Sequence, residues 1–160
     1  MKKIILFFII CFSTTLYAQE SNFWDNVRFG GGFGLGFGNN NTTISIAPSV
    51  IYDFNETISL GAGVGYLYNK QNDFKSNVFS TSIISLYNPL DEIQLSAEYE
   101  HLFVHRNFND FINKYNYPAL YIGAAYRTGN FSLGVRYDLL YNKEKSIFTS
   151  PISPIIRFYF

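Results

Sequence analysis

From residue 27 onwards, apolar and polar positions alternate with a period of two, the period of a β-strand. The first stretch sets Val27, Phe29, Gly31, Phe33, Leu35 and Phe37 against Arg28, Gly30, Gly32, Gly34, Gly36 and Gly38. The second opposes Ile44, Ile46, Pro48, Val50, Tyr52 and Phe54 to Thr43, Ser45, Ala47 and Ser49, and the third Ile58, Leu60, Ala62, Val64, Tyr66 and Tyr68 to Ser59, Gly61, Gly63 and Gly65. Residues 77–88 form a fourth stretch with apolar side chains on both faces, so its phase is open. The fifth places Ile93, Leu95, Ala97, Tyr99 and Phe103 opposite Gln94, Ser96, Glu98 and Glu100. In the sixth, Leu120, Ile122, Ala124 and Tyr126 face away from Tyr117, Ala119, Tyr121, Gly123 and Arg127. The seventh opposes Phe131, Leu133, Val135, Tyr137, Leu139 and Tyr141 to Ser132, Gly134, Arg136 and Asp138, and the eighth Phe148, Ile152, Ile156, Phe158 and Phe160 to Ser153, Arg157 and Tyr159.

The connections alternate in length. Brief turns follow the second, fourth and sixth stretches, at Asp53–Glu56, Asn88–Asp91 and Thr128–Asn130. Longer polar loops follow the first, third and fifth, the longest running from His105 to Asn116, and the last hairpin turns tightly around Asn142–Lys145. An even number of strands, short turns at one end and longer loops at the other is the plan of an outer-membrane barrel. Stretches of about 11–14 residues suit strands crossing a bilayer at a tilt of around 45°. The expected fold is therefore all-β, an eight-stranded antiparallel up-and-down transmembrane β-barrel.

Composition agrees. Aromatic residues reach 19% and charged residues only 15%, against about 25% charge in an ordinary soluble domain. Tyr52, Phe54, Tyr126, Phe131, Phe158 and Phe160 fall at the short-turn end of their strands, and Tyr66, Tyr68, Phe103, Tyr141 and Phe148 at the other. Two rings of aromatics with aliphatics between them form the girdle pattern of a membrane interface. Twelve basic and twelve acidic residues cancel, which leaves no cationic surplus for nucleic acid.

The N-terminus has a different character. Met1-Lys2-Lys3 precedes an unbroken apolar run from Ile4 to Phe12 and a small, polar stretch ending at Ala18. This is the three-part form of a secretory signal peptide, so residues 1–18 are expected to be removed and residues 19–160 to form the barrel. Cys11 is the chain's one cysteine and leaves with the signal, which removes any disulfide framework or thiolate metal site. Removing Lys2 and Lys3 from the twelve basic residues leaves ten against twelve acidic ones, a net charge of −2.

Over nearly its whole mature length the chain resembles the small outer-membrane β-barrel proteins of Gram-negative bacteria. Its final Ile156-Arg157-Phe158-Tyr159-Phe160 resembles the C-terminal signal, ending in an aromatic residue, that such proteins present to the barrel-assembly machinery; Phe158 and Phe160 would carry it. The chain is also similar to a smaller group of exported proteins sharing stretches such as RFGGG, SIISLYNP, IQLSAE, YRTGN and RYDLLY, some of which have been named α-ketoglutarate decarboxylase. That activity implies thiamine diphosphate and a metal site on a much longer α/β chain, and no such motif is present. The resemblance implies outer-membrane lipid as surroundings, the assembly machinery as a transient partner, and no cofactor or metal.

The inward faces are uneven. Stretches one to three supply Gly, Ser, Thr and Ala almost without exception, whereas five to eight supply Gln94, Glu98, Glu100, Tyr117, Tyr121, Arg127, Arg136, Asp138, Arg157 and Tyr159. An eight-stranded barrel encloses only enough room for its own side chains, so the large wall is expected to lie over the small one and pack the lumen. Buried charges persist when paired. Glu98 and Glu100 are expected near Arg136 and Asp138, and Arg28, Arg127 and Arg157 near the short-turn end with Asp53 as the nearest partner. The expected result is a salt-bridge plug and a barrel that does not conduct ions.

Other candidate chemistry is weaker. Glu98 and Glu100 share a face about 7 Å apart, a spacing also seen in glycosidase carboxylate pairs, yet lumen carboxylates neutralised by arginine account for them. His101 and His105 lie about 13 Å apart along a strand, too far to share a metal. They remain the histidines available to a lipid-modifying enzyme, which would need a serine within hydrogen-bond reach of one of them. The glycines from Gly30 to Gly38 alternate with Phe and Leu and do not open a helix, so they form no phosphate loop. The His105–Asn116 loop, with Phe108, Phe111, Ile112 and Tyr115, is either a surface for a specific interaction or a lid over the mouth. The leading expectation is a non-enzymatic barrel with a structural or interaction role, its partner being lipopolysaccharide, a surface ligand or a larger envelope complex. The alternatives are a lipid-modifying enzyme and a soluble periplasmic barrel with its aromatic face turned inwards around an apolar ligand.

Overall fold

The structure, a computed structural model, describes residues 22–38, 41–71, 74–108 and 111–160, with the side chains at 22, 36–38, 41, 71, 74, 108, 111 and 112 outside the described set. The expected signal peptide lies outside it too. A short helix, α1 (Asn22–Asp25), precedes β1 (Val27–Gly38), β2 (Asn41–Asp53), β3 (Ile58–Gln71), β4 (Phe74–Leu90), β5 (Ile93–Phe108), β6 (Phe111–Thr128), β7 (Phe131–Asp138) and β8 (Ile152–Tyr159). Among the described residues these eight strands close into one antiparallel barrel in sequence order.

The period-two faces fall as the alternation predicts. Phe29, Phe33, Leu35, Ile46, Val64, Ile122, Leu133 and Val135 project from the outer wall, and Ser59, Ser80, Gln94, Ser96, Glu98, Ser132 and Arg157 are buried inside. Strand β4 takes the phase that the sequence left open. Ser76, Val78, Ser80, Ile84, Leu86 and Asn88 are buried in the lumen, and Phe79, Ile83 and Tyr87 are exposed outside. The reversed arrangement, with aromatics around an internal ligand, is not the one the strands adopt.

Aromatics gather at the short-turn end, where Phe23 stacks on Tyr52 at 5.2 Å and Tyr52 meets Phe54 edge-on at 5.1 Å. Phe23 and Trp24 of α1 add to this ring. Nearer the other end, Tyr66 and Phe79 lie 6.4 Å apart on the outer wall.

Two features depart from the expected plan. The long loops after β1, β3 and β5 are largely strand, because their polar residues keep pairing in register: Asn69 with Ser76, Arg106 with Asn113, and Phe108 with Phe111. The last hairpin is the reverse case. Instead of a tight turn at Asn142–Lys145, β7 stops at Asp138 and β8 begins at Ile152. Asp138 Oδ1 accepts the Leu140 amide at 2.9 Å and Asn142 Oδ1 accepts the Glu144 amide at 2.9 Å, local bonds that compete with a ladder. Pro151, immediately before β8, then offers no amide donor to extend the ladder. Leu139, Tyr141 and Phe148 therefore belong to an irregular connection over 139–151.

Closure rests on the first and last strands. Strand β1 pairs with β8 over Gly30–Gly32 against Arg157–Tyr159, and Phe29 and Phe160 exchange amide–carbonyl bonds at 3.0 and 2.9 Å. A Cβ on Gly30 would sit 1.9 Å from the Phe158 carbonyl oxygen, so the close approach of β8 requires glycine there. Gly30→Val is expected to cost about 1–3 kcal/mol through forced backbone displacement. Urea unfolding in lipid vesicles, read by the gel shift between folded and unfolded bands, measures it.

Candidate functional site

Most of the charged residues of chemical interest line the lumen, and they lie at distinct heights. Nearest the short turns, Arg28 on β1 donates to both carboxylate oxygens of Asp53 on β2, Nε to Oδ2 at 2.6 Å and Nη2 to Oδ1 at 2.8 Å. Ser59 on β3 donates to the same carboxylate. This two-pronged guanidinium–carboxylate geometry is the strong form of such a contact. Gln94 donates to Asn88 across β4 and β5 at 3.1 Å. Immediately above, Ile51, Ile84, Leu86 and Tyr159 pack into a small buried cluster.

At mid-height stands a four-charge constellation. Arg136 Nη1 lies 3.2 Å from Glu98 Oε2 and 3.8 Å from Glu100 Oε2. Arg157 donates through Nη2 to Glu98 Oε1. Arg136 also donates from Nε to Ser153 Oγ at 3.1 Å and lies over the Tyr121 ring at 3.9 Å. The Tyr159 and Ser49 hydroxyls share a hydrogen bond at 3.0 Å. Two guanidinium groups against two carboxylates leave this level with no net charge. Arg157 Nη1 is buried and has no hydrogen-bond partner among the described residues.

Higher still, Val78, Leu102, Val104, Tyr117, Ala119 and Tyr121 form the larger buried cluster, with Ile147 of the 139–151 connection packed against it. The Ile147 amide donates to the Tyr117 hydroxyl at 3.2 Å. Arg106 lies over the Tyr115 ring at 5.3 Å and donates to the Ser146 carbonyl at 3.3 Å, and the Tyr115 hydroxyl donates to the Lys145 carbonyl at 3.0 Å. The 139–151 connection is thus fastened to the base of the projecting β5–β6 hairpin.

Several placements differ from the sequence expectation. Asp138 does not join Arg136; its carboxylate accepts the Leu120 and Leu140 amides at 3.2 and 2.9 Å, where β7 leaves the ladder. Arg157 reaches Glu98 instead of Asp53, because its side chain crosses towards β5 at mid-height. Arg127 turns to the Gly129 carbonyl at 3.2 Å within its own turn. The uniformly packed lumen is also corrected. Between the two buried clusters lies a cavity of about 370 Å³, bounded on one side by Gly32, Gly34, Ser45 and Ser82 and on the other by the charged group. The Gly and Ser positions of β1–β3 leave a recess that the larger side chains opposite do not fill.

Of the stretch from His105 to Asn116, residues 105–108 and 111–116 continue the paired strands β5 and β6, residues 109–110 lie outside the described residues, and of the candidate contact residues Tyr115 is placed as described above. The side chains of Phe108, Phe111 and Ile112 lie outside the described residues. His101 packs edge-on against Phe103 at 4.9 Å, and among the described residues neither histidine hydrogen-bonds a serine. Phe158 and Phe160 sit on the outer wall, their rings 5.6 Å apart. The cavity and its serine wall were missed at sequence level; the excess of small residues on three consecutive inward faces was the available signal.

No protein-family model matches the chain, and no curated protein matches it. Among solved structures it is similar to a chain described as "De novo design of transmembrane beta-barrels", with 18% identity over 89% of this chain and 98% of that one and a TM-score of 0.42.

Glu98 bridges two guanidinium groups, so its removal leaves both under-compensated in a buried setting. Glu98→Ala is expected to destabilise the barrel by about 3–5 kcal/mol, the range for breaking one side of a buried pair. Asp53→Ala, at the more exposed rim, is expected to cost less. Parallel urea titrations of the two variants in the same vesicles test the ranking.

Proposed function

We propose that this chain is a bilayer-spanning barrel of the Gram-negative outer membrane, non-enzymatic and non-conducting, with a structural or interaction role in the envelope. The observation that carries the reading is the outer wall. Phe33 is 54% exposed, Leu35 62%, Ile83 62% and Val135 57%, while Glu98 and Arg157 are buried within. Aqueous solvent favours the opposite distribution, and a hydrocarbon environment favours this one. The ring of eight strands agrees with it, because closure gives most backbone polar groups partners within the protein, as a lipid surrounding requires.

The two buried clusters and the paired charges obstruct the barrel axis at several heights, which supports a barrel that passes no appreciable ion current. The β5–β6 hairpin, braced by the 139–151 connection, offers the surface on which lipopolysaccharide, a surface ligand or a larger envelope complex would dock. Insertion would draw on the barrel-assembly machinery through the C-terminal segment ending in Phe158 and Phe160.

Membrane fractionation with unboiled and boiled gel samples tests the reading: recovery in the outer membrane with a shift on boiling is expected, and recovery as a soluble periplasmic protein would overturn it. In vesicles, Val135→Arg on the outer wall is expected to cost about 2–4 kcal/mol if it lies near the bilayer midplane. Planar-bilayer recordings are expected to register no steady conductance.

A further inference from the structure

The barrel wall beside the cavity is not hydrogen-bonded as a ladder along its whole length. The β1–β8 ladder stops at Gly32 and Arg157, although β1 runs on to Gly38 and β8 starts at Ile152. Continuing the same register would pair Phe33 with Ile156 and Leu35 with Pro154, and among the described residues neither pair forms. Every other neighbouring pair of strands keeps a longer ladder. The cavity lining runs continuously into this gap: it includes Gly32, Gly34, Ser45 and Ser82 within the lumen and Phe33, Leu35, Ile152, Pro154 and Ile156 at the seam. Phe33, Leu35 and Ile152 are exposed on the outer wall. The mouth is therefore apolar and opens where the proposed bilayer lies, and the interior is polar.

The interior also restricts what it can hold. Its volume of about 370 Å³ falls at the small end of the roughly 300–1,000 Å³ range of ligand pockets. Its four charges cancel, so neither an anion nor a cation is favoured by net charge. Unused hydrogen-bonding capacity of both kinds remains. Arg157 Nη1 is a buried donor without a partner, Glu100 meets Arg136 only at 3.8 Å, and the Ser80 and Ser82 hydroxyls line the same space. A group that both donates and accepts, and carries no charge, matches that set; hydroxyl groups do so. The two buried clusters stand above and below, and of the strand pairs around the cavity β1–β8 has the shortest ladder.

We propose that the gap between β1 and β8 is a lateral doorway through which an amphiphile in the bilayer places an uncharged, hydroxyl-rich headgroup in the lumen cavity while its hydrocarbon tail stays in the apolar mouth. The inference rests on the membrane reading above. Arg157, Glu100 and the serines hold the headgroup, and Phe33, Leu35, Ile152, Pro154 and Ile156 line the path of the tail.

The test uses the protein purified from membranes and reconstituted in nanodiscs of dimyristoyl phosphatidylcholine, with isotope-labelled methyl groups. Octyl β-glucoside is titrated below its micelle concentration. Saturable shifts are expected at the methyls of Val78, Ile84, Leu102 and Ile155, without saturation at Leu60 or Leu133 on the outer wall. Octanoate, with a similar tail and an anionic head, is expected to bind about tenfold more weakly, the loss of one or two hydrogen bonds without charge compensation. Ser82→Phe, which fills the cavity, is expected to abolish saturation. Because that variant could fail to fold, a second closes the doorway: Phe33→Cys with Ile156→Cys is expected to block binding when oxidised and restore it when reduced. Equal binding of octanoate would overturn the headgroup assignment. Equal binding of free glucose, or binding unaffected by the oxidised pair, would overturn the doorway, and no saturable lumen shift with any probe would overturn the site. Failure of the membrane reading is separate, since it would appear as a protein that neither enters nanodiscs nor changes gel mobility on boiling.

Discussion

A β-sheet leaves unpaired amides and carbonyls along its two edges, and it removes both edges only by bending round until its first strand meets its last. In this protein that meeting is brief. It occupies Phe29 to Gly32 on one side and Arg157 to Phe160 on the other, and it depends on β1 being nearly free of side chains where β8 arrives. The same glycines that let the strands approach leave the adjoining lumen wall low. Closure and the recess behind it thus share one cause in the composition of β1.

The lumen follows from the contrast between its two walls. Strands β1–β3 contribute little volume, and the opposite wall contributes Arg, Glu and Tyr. Because long side chains can be buried as ions only when their charges find one another, Arg136 and Arg157 converge on Glu98 instead of spreading over the space in front of the serines. Apolar packing takes the levels above and below. The interior is therefore layered: a rim ion pair, a small apolar cluster, a neutral charged layer beside a cavity, and a larger apolar cluster.

Much of this architecture was legible in the sequence, and the reasons are physical. Side-chain alternation fixes the face of a strand wherever one face is plainly apolar, so seven strands could be phased by inspection. Strand β4 could not, because Val78, Ile84 and Leu86 fill the lumen opposite the small wall and erase the contrast between faces. The short turns were readable from Asn, Gly and Pro. The projecting hairpins were not, since their strands are polar on both faces and have the composition of loops. Among the charges, Arg28 and Asp53 lie at corresponding ends of adjacent strands and could be matched by height. The Arg157–Glu98 contact spans the barrel, and strand order gives no indication of how far a guanidinium reaches across a lumen. The incomplete seam was present in the sequence as Pro151 and Pro154, but its effect depends on which strand happens to lie alongside.

The unequal strand lengths have a consequence for anything that approaches from outside. Strands β5 and β6 continue to Phe108 and Phe111 as a paired ladder, whereas β7 and β8 end much lower. Five residues beyond Phe103 correspond to about 17 Å of extended chain. Strands β5 and β6 stay in register up to Phe108 and Phe111 and are tied to the 139–151 connection through Arg106 and Tyr115, so their described part is braced at its base. A second molecule that engages the paired strands near Phe108 and Phe111 therefore meets them well beyond the level at which β7 and β8 end.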